Sequence, residues 1–367
     1  MLISIQNPYS GKIALYYNRY DAVTIAAYRQ FRCPSSNNTS HHLFPLIEFF
    51  RFLETSGYTI SLERRISPSD ISFVRVICSH DLSRRAITAL KNMQSRRFPV
   101  YSALLLSEHP LYQKRLFTPA AIDLFSDVFT SMKISFRRTI PILSPYIFSE
   151  IPCSQHLQSR HNNQVIDTTL ISSNLPNKPG TTYGFRRHMI NILSEADTLL
   201  FMFYGRGWRL SDYSGNLRLL AKYSVSNLTH HTRLTARATS KYGGEIQDKS
   251  LLLSAKSCVS IENSISPIGY MTEKLIEPLV FGSVPIYMGA IGSSEIFQIL
   301  PASSSRFLQN NDAASLLRSC LEVSEMSLRE SRKLAESIRT TINAYLETCH
   351  FPTGLWKIAQ NISDRLI

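Results

Sequence analysis

The chain alternates short apolar runs with stretches of helical periodicity through both of its halves. In the first half the pattern predicts five strands and two helices. The strands fall at 12–17, 72–78, 98–106, 125–130 and 140–143, and the helices at 45–57 and 82–93. Buried strands that alternate with amphipathic helices are typical of α/β proteins built on parallel sheets.

The second half repeats this alternation and then changes character. Strands are predicted at 167–173, 199–205, 284–289 and directly before Glu262, with helices at 185–195, at 246–256 and from Thr272 onward. After residue 312 the apolar spacing is helical only. The pattern predicts two Rossmann-like layers that face each other across a cleft, followed by helices.

A chain of 367 residues is long for one compact unit. From residue 150 to 164 it is polar and has no periodicity, which predicts a linker. We therefore expect two Rossmann-like domains, a linker and terminal helices. Their predicted bounds are 1–150 for the N-terminal domain, 151–166 for the linker, 167–325 for the C-terminal domain and 326–367 for the helices.

The net charge indicates which partners suit the chain, and the cysteine spacing indicates its redox state. Lys and Arg outnumber Asp and Glu by 40 to 27, a net charge of +13 that suits anionic partners such as nucleotides, nucleic acid or an acidic membrane surface. The arginine pairs are dispersed, so no basic arm for nucleic acid is predicted. The six cysteines are widely spaced without a C-x-x-C pair, which favours reduced thiols and no structural metal.

Membrane insertion is not predicted. The sequence begins without the basic and apolar segments of a signal peptide, and its apolar runs fall short of the about 18 residues that span a bilayer. We expect a location in the cytoplasm or at the cytoplasmic face of a membrane.

The most informative stretch is SIENSISPIGYMTEKLIEPLVFGSVPIYMG, residues 260–289. Thr272 is the predicted N-cap of a helix whose first two positions are Glu273 and Lys274. An acidic side chain is favoured at that end of a helix, whereas a lysine opposes the helix dipole unless an anion lies nearby. A ligand phosphate is such an anion. Pro278, at the sixth position, predicts a short or kinked helix.

Three elements of this stretch, ENS (262–264), Y-x-TEK-L (270–275) and G-x-VPI-Y-x-G (282–289), resemble the donor-binding signature of the α-1,3-fucosyltransferase family. Upstream, residues 249–264 follow the family pattern loosely, with Ala255, Ser257 and Ile261 in place of aromatic residues. The similarity extends to Ser173-Asn174 followed by an arginine on a helix, to YGRGW (204–208) and to ALLLSEHP (103–110).

The resemblance implies a GT-B fold and an inverting transfer of fucose from GDP-fucose to an oligosaccharide or glycolipid acceptor. Lys274 and Arg186 bind the diphosphate in this scheme, with Arg187 as the rival of Arg186. Arg206 is a possible helper.

Glu108 is the general base that the resemblance implies. We expect Glu273 to accept hydrogen bonds from ribose hydroxyls, as a carboxylate does in dinucleotide sites. Asn263 supports the loop or the donor, and Glu262 is a further candidate for donor binding. Glu108 could instead cap the turn before Pro110. Tyr270 stacks on the base or closes the pocket, or it anchors the loop on the core. No acidic D-x-D-like pair ends a strand, so no obligatory metal is expected.

Three other hypotheses stay open at this point. The strand-helix cradle fits a GT-B transferase with another nucleotide sugar, because it recognises diphosphate and ribose better than the sugar. The departures from the family pattern fit a non-catalytic relative. The charge permits a nucleic-acid-binding protein, although the aromatic residues are not interleaved with basic ones as a stacking surface requires.

Overall fold

The structure is a computed structural model, and it describes part of the chain in detail. The described ranges are 2–7, 11–15, 59–63, 74–78, 101–106, 109–111, 117–125, 127–134, 139–141, 165–209, 233–246, 249–289 and 295–348, with single positions at 32, 47, 50, 51, 54, 55, 114, 217, 220, 221, 224 and 225. The chain divides into two compact units. Unit 1 comprises Met1–Ser149 and Leu346–Ile367, and unit 2 comprises Glu150–Tyr345.

Unit 1 contains a mixed sheet. Its strands are β1 (Leu2–Asn7), β2 (Gly11–Leu15), β3 (Thr59–Glu63), β4 (Val74–Cys78), β5 (Tyr101–Leu106), β6 (Asp127–Thr130) and β7 (Thr139–Pro141), with helix α1 (Pro119–Ile122) before β6. Their order is β3-β1-β2-β4-β5-β6-β7. β1 pairs antiparallel with β2 and β3. The neighbours in the series β2, β4, β5, β6 and β7 pair in parallel.

Unit 2 contains a parallel sheet with helices. The strands are β8 (Ile166–Ile171), β9 (Phe201–Tyr204), β10 (Ala255–Ile261) and β11 (Val284–Met288), in the order β11-β10-β8-β9. The described α-helices are α2 (Tyr183–Glu195), α3 (Ala236–Ser240), α4 (Glu273–Val280), α5 (Glu295–Gln298), α6 (Ala302–Leu308), α7 (Ala313–Ser324) and α8 (Leu328–Thr348), and the last three residues of α8 belong to unit 1.

Local chemistry accounts for the elements around β10. Six of the seven residues of β10 are buried, as expected for an inner parallel strand covered on both faces. α4 begins after Thr272, whose hydroxyl caps the amide of Lys274, and it is short, as Pro278 predicts. α7 begins at a capping box formed by Asp312 and Ser315.

The predicted α/β class is confirmed, and two features of the sheets and helices differ from the predictions. β1 and β3 were not predicted, and the helix predicted at 246–256 is wrong. A 3-10 helix occupies Lys249–Ser254, and β10 begins directly after it at Ala255. The three leucines of KSLLLS are buried. A short buried apolar run is compatible with an α-helix, a 3-10 helix or a strand, so it does not identify the element. The helix predicted at 82–93 lies outside the described residues.

Among the described helices, none is both long enough and apolar enough to cross a bilayer.

Candidate functional site

The carboxyl ends of the four strands described in unit 2 lie at one edge of its sheet, because the strands are parallel. Two helices begin at this edge. Thr182, the N-cap residue of α2, donates its amide N–H to the carbonyl of Asn263 at 3.1 Å, and α4 begins after Thr272. Strand carboxyl ends and helix N-termini that share an edge form the usual ligand-binding side of an α/β sheet.

Glu262, directly after β10, is the buried centre of this edge. Its side chain is 0% exposed. Oε1 accepts hydrogen bonds from the Thr272 amide at 2.7 Å and from the Tyr287 hydroxyl at 3.0 Å, and Oε2 accepts one from the Thr272 hydroxyl at 2.7 Å. The carboxylate therefore fixes the start of α4. Direct contact of Glu262 with the donor stays a prediction.

Lys274 and Glu273 lie beside this buried carboxylate and are themselves partly exposed. The Lys274 ammonium is 3.0 Å from Glu273 Oε1 and 3.7 Å from Glu262 Oε2. The side chains of Lys274 and Glu273 are 21% and 29% exposed. The chain thus supplies anions that compensate Lys274 within the fold. Binding of a ligand phosphate by Lys274 stays a prediction.

The pKa values of this pair follow from opposing effects. Burial by itself lowers the pKa of Lys274, but the carboxylates of Glu273 and Glu262 outweigh it and raise this pKa. Burial by itself raises the pKa of Glu273, but Lys274 and Lys249 outweigh it and lower this pKa to about 2. Both side chains stay charged at neutral pH.

Arg186 connects the ends of β8 and β10 from the first turn of α2. Its guanidinium donates to Ser172 Oγ at 3.0 Å, to the carbonyl of Ile261 at 2.5 Å and to Asn263 Oδ1 at 2.9 Å. The side chain is buried. It therefore fixes a positive charge between two strand ends next to α4.

Arg187 belongs to a neighbouring cluster. Its Nε and Nη2 donate to Asn174 Oδ1 at 3.1 and 2.7 Å, and the guanidinium lies over the ring of Trp208. Asn174 in turn donates to the carbonyl of Gly207 at 2.8 Å. Burial lowers the pKa of Arg187 to about 10. The cluster joins the loops after β8 and β9.

The other predicted residues differ in their surroundings. Asn263 Nδ2 lies 3.4 Å from the hydroxyl of Tyr270, whose ring is buried, so Tyr270 anchors the loop in this structure. Stacking of Tyr270 on a base stays a prediction. Arg206 is 58% exposed and forms an ion pair with Glu245. Glu108 lies outside the described residues, so its role as a base stays a prediction too.

Tyr287 has no predicted role of its own, yet its hydroxyl donates a hydrogen bond to Glu262. The parallel register of β10 and β11 pairs Ile261 with Met288, and this places Tyr287 beside the end of β10. Two signals in the sequence could have pointed to it: the place of Tyr287 in the G-x-VPI-Y-x-G element and its polar hydroxyl within an otherwise apolar strand.

The arrangement provides fixed cations and helix N-termini beside a partly exposed carboxylate. Cations and amide groups fixed in this way stabilise phosphate oxygens, and a carboxylate accepts hydrogen bonds from sugar hydroxyls. In the described part of the chain, no group of three or more His, Cys, Asp or Glu side chains could hold a metal ion.

No protein-family model and no curated protein sequence matches the chain. Among solved structures, the chain is similar to the pneumococcal O-GlcNAc transferase GtfA in complex with UDP and GlcNAc, at 12% identity and a TM-score of 0.45, over 80% of this chain and 57% of GtfA. It is also similar to T4 phage BGT in complex with its UDP-glucose substrate, at 14% identity and a TM-score of 0.41, over 75% of this chain and 79% of BGT.

A third similar structure is apo OtsA, at 11% identity and a TM-score of 0.41, over 91% of this chain and 82% of OtsA. The chain spans just over half of the length of GtfA. Because all three TM-scores lie below 0.5, these likenesses carry no argument about activity.

Proposed function

We propose that the chain is an inverting glycosyltransferase of the GT-B type that transfers fucose from GDP-fucose to a hydroxyl of an oligosaccharide or glycolipid acceptor. One observation carries the proposal. Four residues that match the fucosyltransferase-like elements of the sequence lie at the carboxyl edge of the parallel sheet in two hydrogen-bonded groups, which the consecutive residues Glu262 and Asn263 join. The four are Asn263 with Arg186, and Glu273 with Lys274.

The diphosphate is the part of the donor that this cluster suits best. Within the described residues, the Lys274 ammonium donates to Thr272 Oγ1 and to Glu273 Oε1, each at 3.0 Å. An ammonium has three hydrogens, so one is left for a phosphate oxygen. Arg186 adds a second fixed charge beside it. Charge that builds up on the departing GDP is then met without reorganisation of the site.

Glu273 is proposed as the ribose ligand. Its pKa of about 2 keeps the side chain ionised, and its partial exposure leaves it accessible to a hydroxyl. An ionised carboxylate accepts hydrogen bonds and donates none. The side chain therefore favours the hydroxyls of a sugar and disfavours a second phosphate at the same position.

The acceptor side rests on the sequence prediction for Glu108. In the proposed reaction the acceptor hydroxyl attacks fucose C1 opposite the GDP, the C–O bond to GDP breaks, and the GDP leaves with the electron pair. Glu108 takes the hydroxyl proton as the new bond forms. Glu108→Gln should keep GDP binding and lose transfer. We propose the cytoplasm or the cytoplasmic face of a membrane as the setting, again on the sequence prediction.

Calorimetric titration with GDP, UDP and ADP tests the donor assignment, and a transfer assay with GDP-fucose tests the activity. We expect GDP to bind in the micromolar range and fucose to reach a lactosamine-type acceptor or another glycan with galactose or glucosamine. Preference for UDP indicates another nucleotide sugar. GDP binding without transfer to any acceptor indicates a non-catalytic relative.

The hypothesis of a nucleic-acid-binding protein predicts a different binding result. A nucleic-acid-binding protein retains DNA or RNA with a strong salt dependence, and substitution of Lys274 does not change that retention. If the protein binds none of the three nucleotides at millimolar concentration, the glycosyltransferase proposal is wrong.

A further inference from the structure

Tyr287 is the one residue of β11 whose side chain reaches the centre of the candidate site. Its hydroxyl donates to Glu262 Oε1 at 3.0 Å. Its ring is buried and lies parallel to that of Phe297, with 6.1 Å between the centroids. Its carbonyl accepts the amide N–H of Asn310 at 3.2 Å. Backbone, ring and hydroxyl are therefore all held in place.

Gly289 leaves the room that the tyrosine needs. A Cβ atom at this position would lie 2.3 Å from the Tyr287 hydroxyl oxygen and 2.6 Å from Cζ of the ring. Both distances are far shorter than a normal contact between these atoms. Any larger residue at position 289 has to displace the ring from Glu262. This accounts physically for the glycine of the Y-x-G element.

Glu262 connects Tyr287 to the start of α4 through hydrogen bonds. The Glu262 oxygen that accepts from Tyr287 also accepts from the amide of Thr272 at 2.7 Å. The other oxygen accepts from the Thr272 hydroxyl, which in turn accepts from the ammonium of Lys274 at 3.0 Å. Two residues thus separate β11 from the proposed phosphate ligand.

We propose that Tyr287 is a positioning residue of the donor site, which acts through Glu262 to hold the first turn of α4, and with it Lys274, in the geometry that binds a nucleoside diphosphate. This inference rests on the proposed function. Burial and the nearby Glu262 carboxylate raise the pKa of Tyr287 well above its ordinary value, so the phenol remains a hydrogen-bond donor over the working pH range.

The test compares Tyr287→Phe, Glu262→Gln and the double variant, with Thr168→Val as the matched control. Thr168 is also fully buried, and its hydroxyl is 2.9 Å from that of Ser257, between β8 and β10. Its replacement removes a buried hydrogen bond of unit 2 without contact with Glu262. The GDP Kd, the melting temperature and amide exchange of the segment 263–276 are measured for each variant.

We expect Tyr287→Phe to raise the GDP Kd about tenfold, the effect of one hydrogen bond to a buried charge. The donor KM should rise in parallel while the acceptor KM stays unchanged. The double variant should bind GDP no more weakly than Glu262→Gln alone, since the two residues act as one unit. Thr168→Val should lower the melting temperature and leave the GDP Kd unchanged. Gly289→Ala should raise the GDP Kd as Tyr287→Phe does.

Amide exchange separates failure of this inference from failure of the proposed function. In the free protein, Tyr287→Phe should speed exchange of the Thr272 and Lys274 amides, and Thr168→Val should not. If the wild type binds GDP and Tyr287→Phe changes neither the GDP Kd nor exchange, the inference is wrong while the function stands. If the wild type binds no nucleotide, the proposed function and the role in donor binding are both overturned, whatever exchange shows.

Discussion

Two lysines of unit 2 contact opposite ends of helices, and their surroundings differ accordingly. Lys256 donates to the carbonyl of Ser324, the last residue of α7, at 2.6 Å and pairs with Asp167 at 2.8 Å. Lys274 is the second residue of α4 and lies near two carboxylates, Glu262 and Glu273. A cation is favoured at the C-terminal end of a helix and disfavoured at the N-terminal end.

The fold therefore accounts for Lys256 by itself, because the lysine stabilises the end of α7 and joins it to the sheet. Lys274 opposes the dipole of α4, and the chain offsets this with a buried carboxylate that costs free energy to desolvate. The fold thus keeps a compensated and partly exposed lysine at the ligand-binding edge of the sheet. We propose that a bound diphosphate is the partner of this lysine.

The largest expected effect is on stability and comes from removing the buried Glu262 carboxylate at the start of α4. Glu262→Ala leaves the Tyr287 hydroxyl, the Thr272 amide and the Lys274 ammonium without the carboxylate that they share. We expect the free energy of unfolding to fall by about 4 kcal/mol, as for other broken buried ion pairs. Equilibrium denaturation in urea measures it. A loss below about 1 kcal/mol would show that the carboxylate does not organise this region.

Lys256→Ala should have the next largest effect, and on stability alone. It removes a largely buried ion pair and a hydrogen bond at the favoured end of α7. We expect the free energy of unfolding to fall by about 2 kcal/mol. Denaturation curves and GDP titration are measured together. Weaker GDP binding in this variant would contradict the division of roles between the two lysines.

A comparison of Arg186→Lys with Arg187→Lys sharpens the assignment of the second phosphate ligand. Arg186 spans three acceptors at the ends of β8 and β10, and a lysine cannot reproduce this planar fork. We expect the GDP Kd to rise about tenfold for Arg186→Lys. For Arg187→Lys we expect a change in melting temperature only. The reverse result would assign the phosphate to Arg187.

The smallest effect concerns Glu273 at acidic pH. Because its folded-state pKa is lowered to about 2, its ionised form stabilises the fold above the unfolded pKa, and this contribution is lost as the pH falls toward 2. Glu273→Gln lacks the contribution at every pH. The stability of wild type relative to this variant should shrink by about 1 kcal/mol between pH 5 and pH 2, the scale of a partly exposed ion pair. A constant difference would mean that Lys274 does not stabilise this carboxylate.

The sequence predicted features that depend on neighbouring residues. Thr272 as N-cap, Glu273 at the first helical position and a short helix that contains Pro278 all follow from local rules of helix formation, and the structure confirms them. β8 and β11 were predicted within one or two residues at each end, because their apolar runs are bounded by polar or turn residues.

Features that depend on contacts distant in sequence were not predictable. The compensation of Lys274 by Glu262 requires the loop between β10 and α4 to turn back on itself. The contact from Tyr287 to Glu262 requires the register of β10 and β11. The antiparallel pairing of β1 with β2 and β3 likewise depends on strand order, which an apolar pattern alone does not specify.

The most direct test of the central claim is the GDP-induced rise in melting temperature of wild type, Lys256→Ala and Lys274→Ala. Both substitutions remove one lysine that is ion-paired in unit 2, and only Lys274 lies at the candidate site. At a hundredfold excess over Kd, GDP should raise the melting temperature of wild type and of Lys256→Ala by about 5 °C. It should leave that of Lys274→Ala unchanged. An equal rise in all three proteins would contradict the proposal that Lys274 binds the diphosphate.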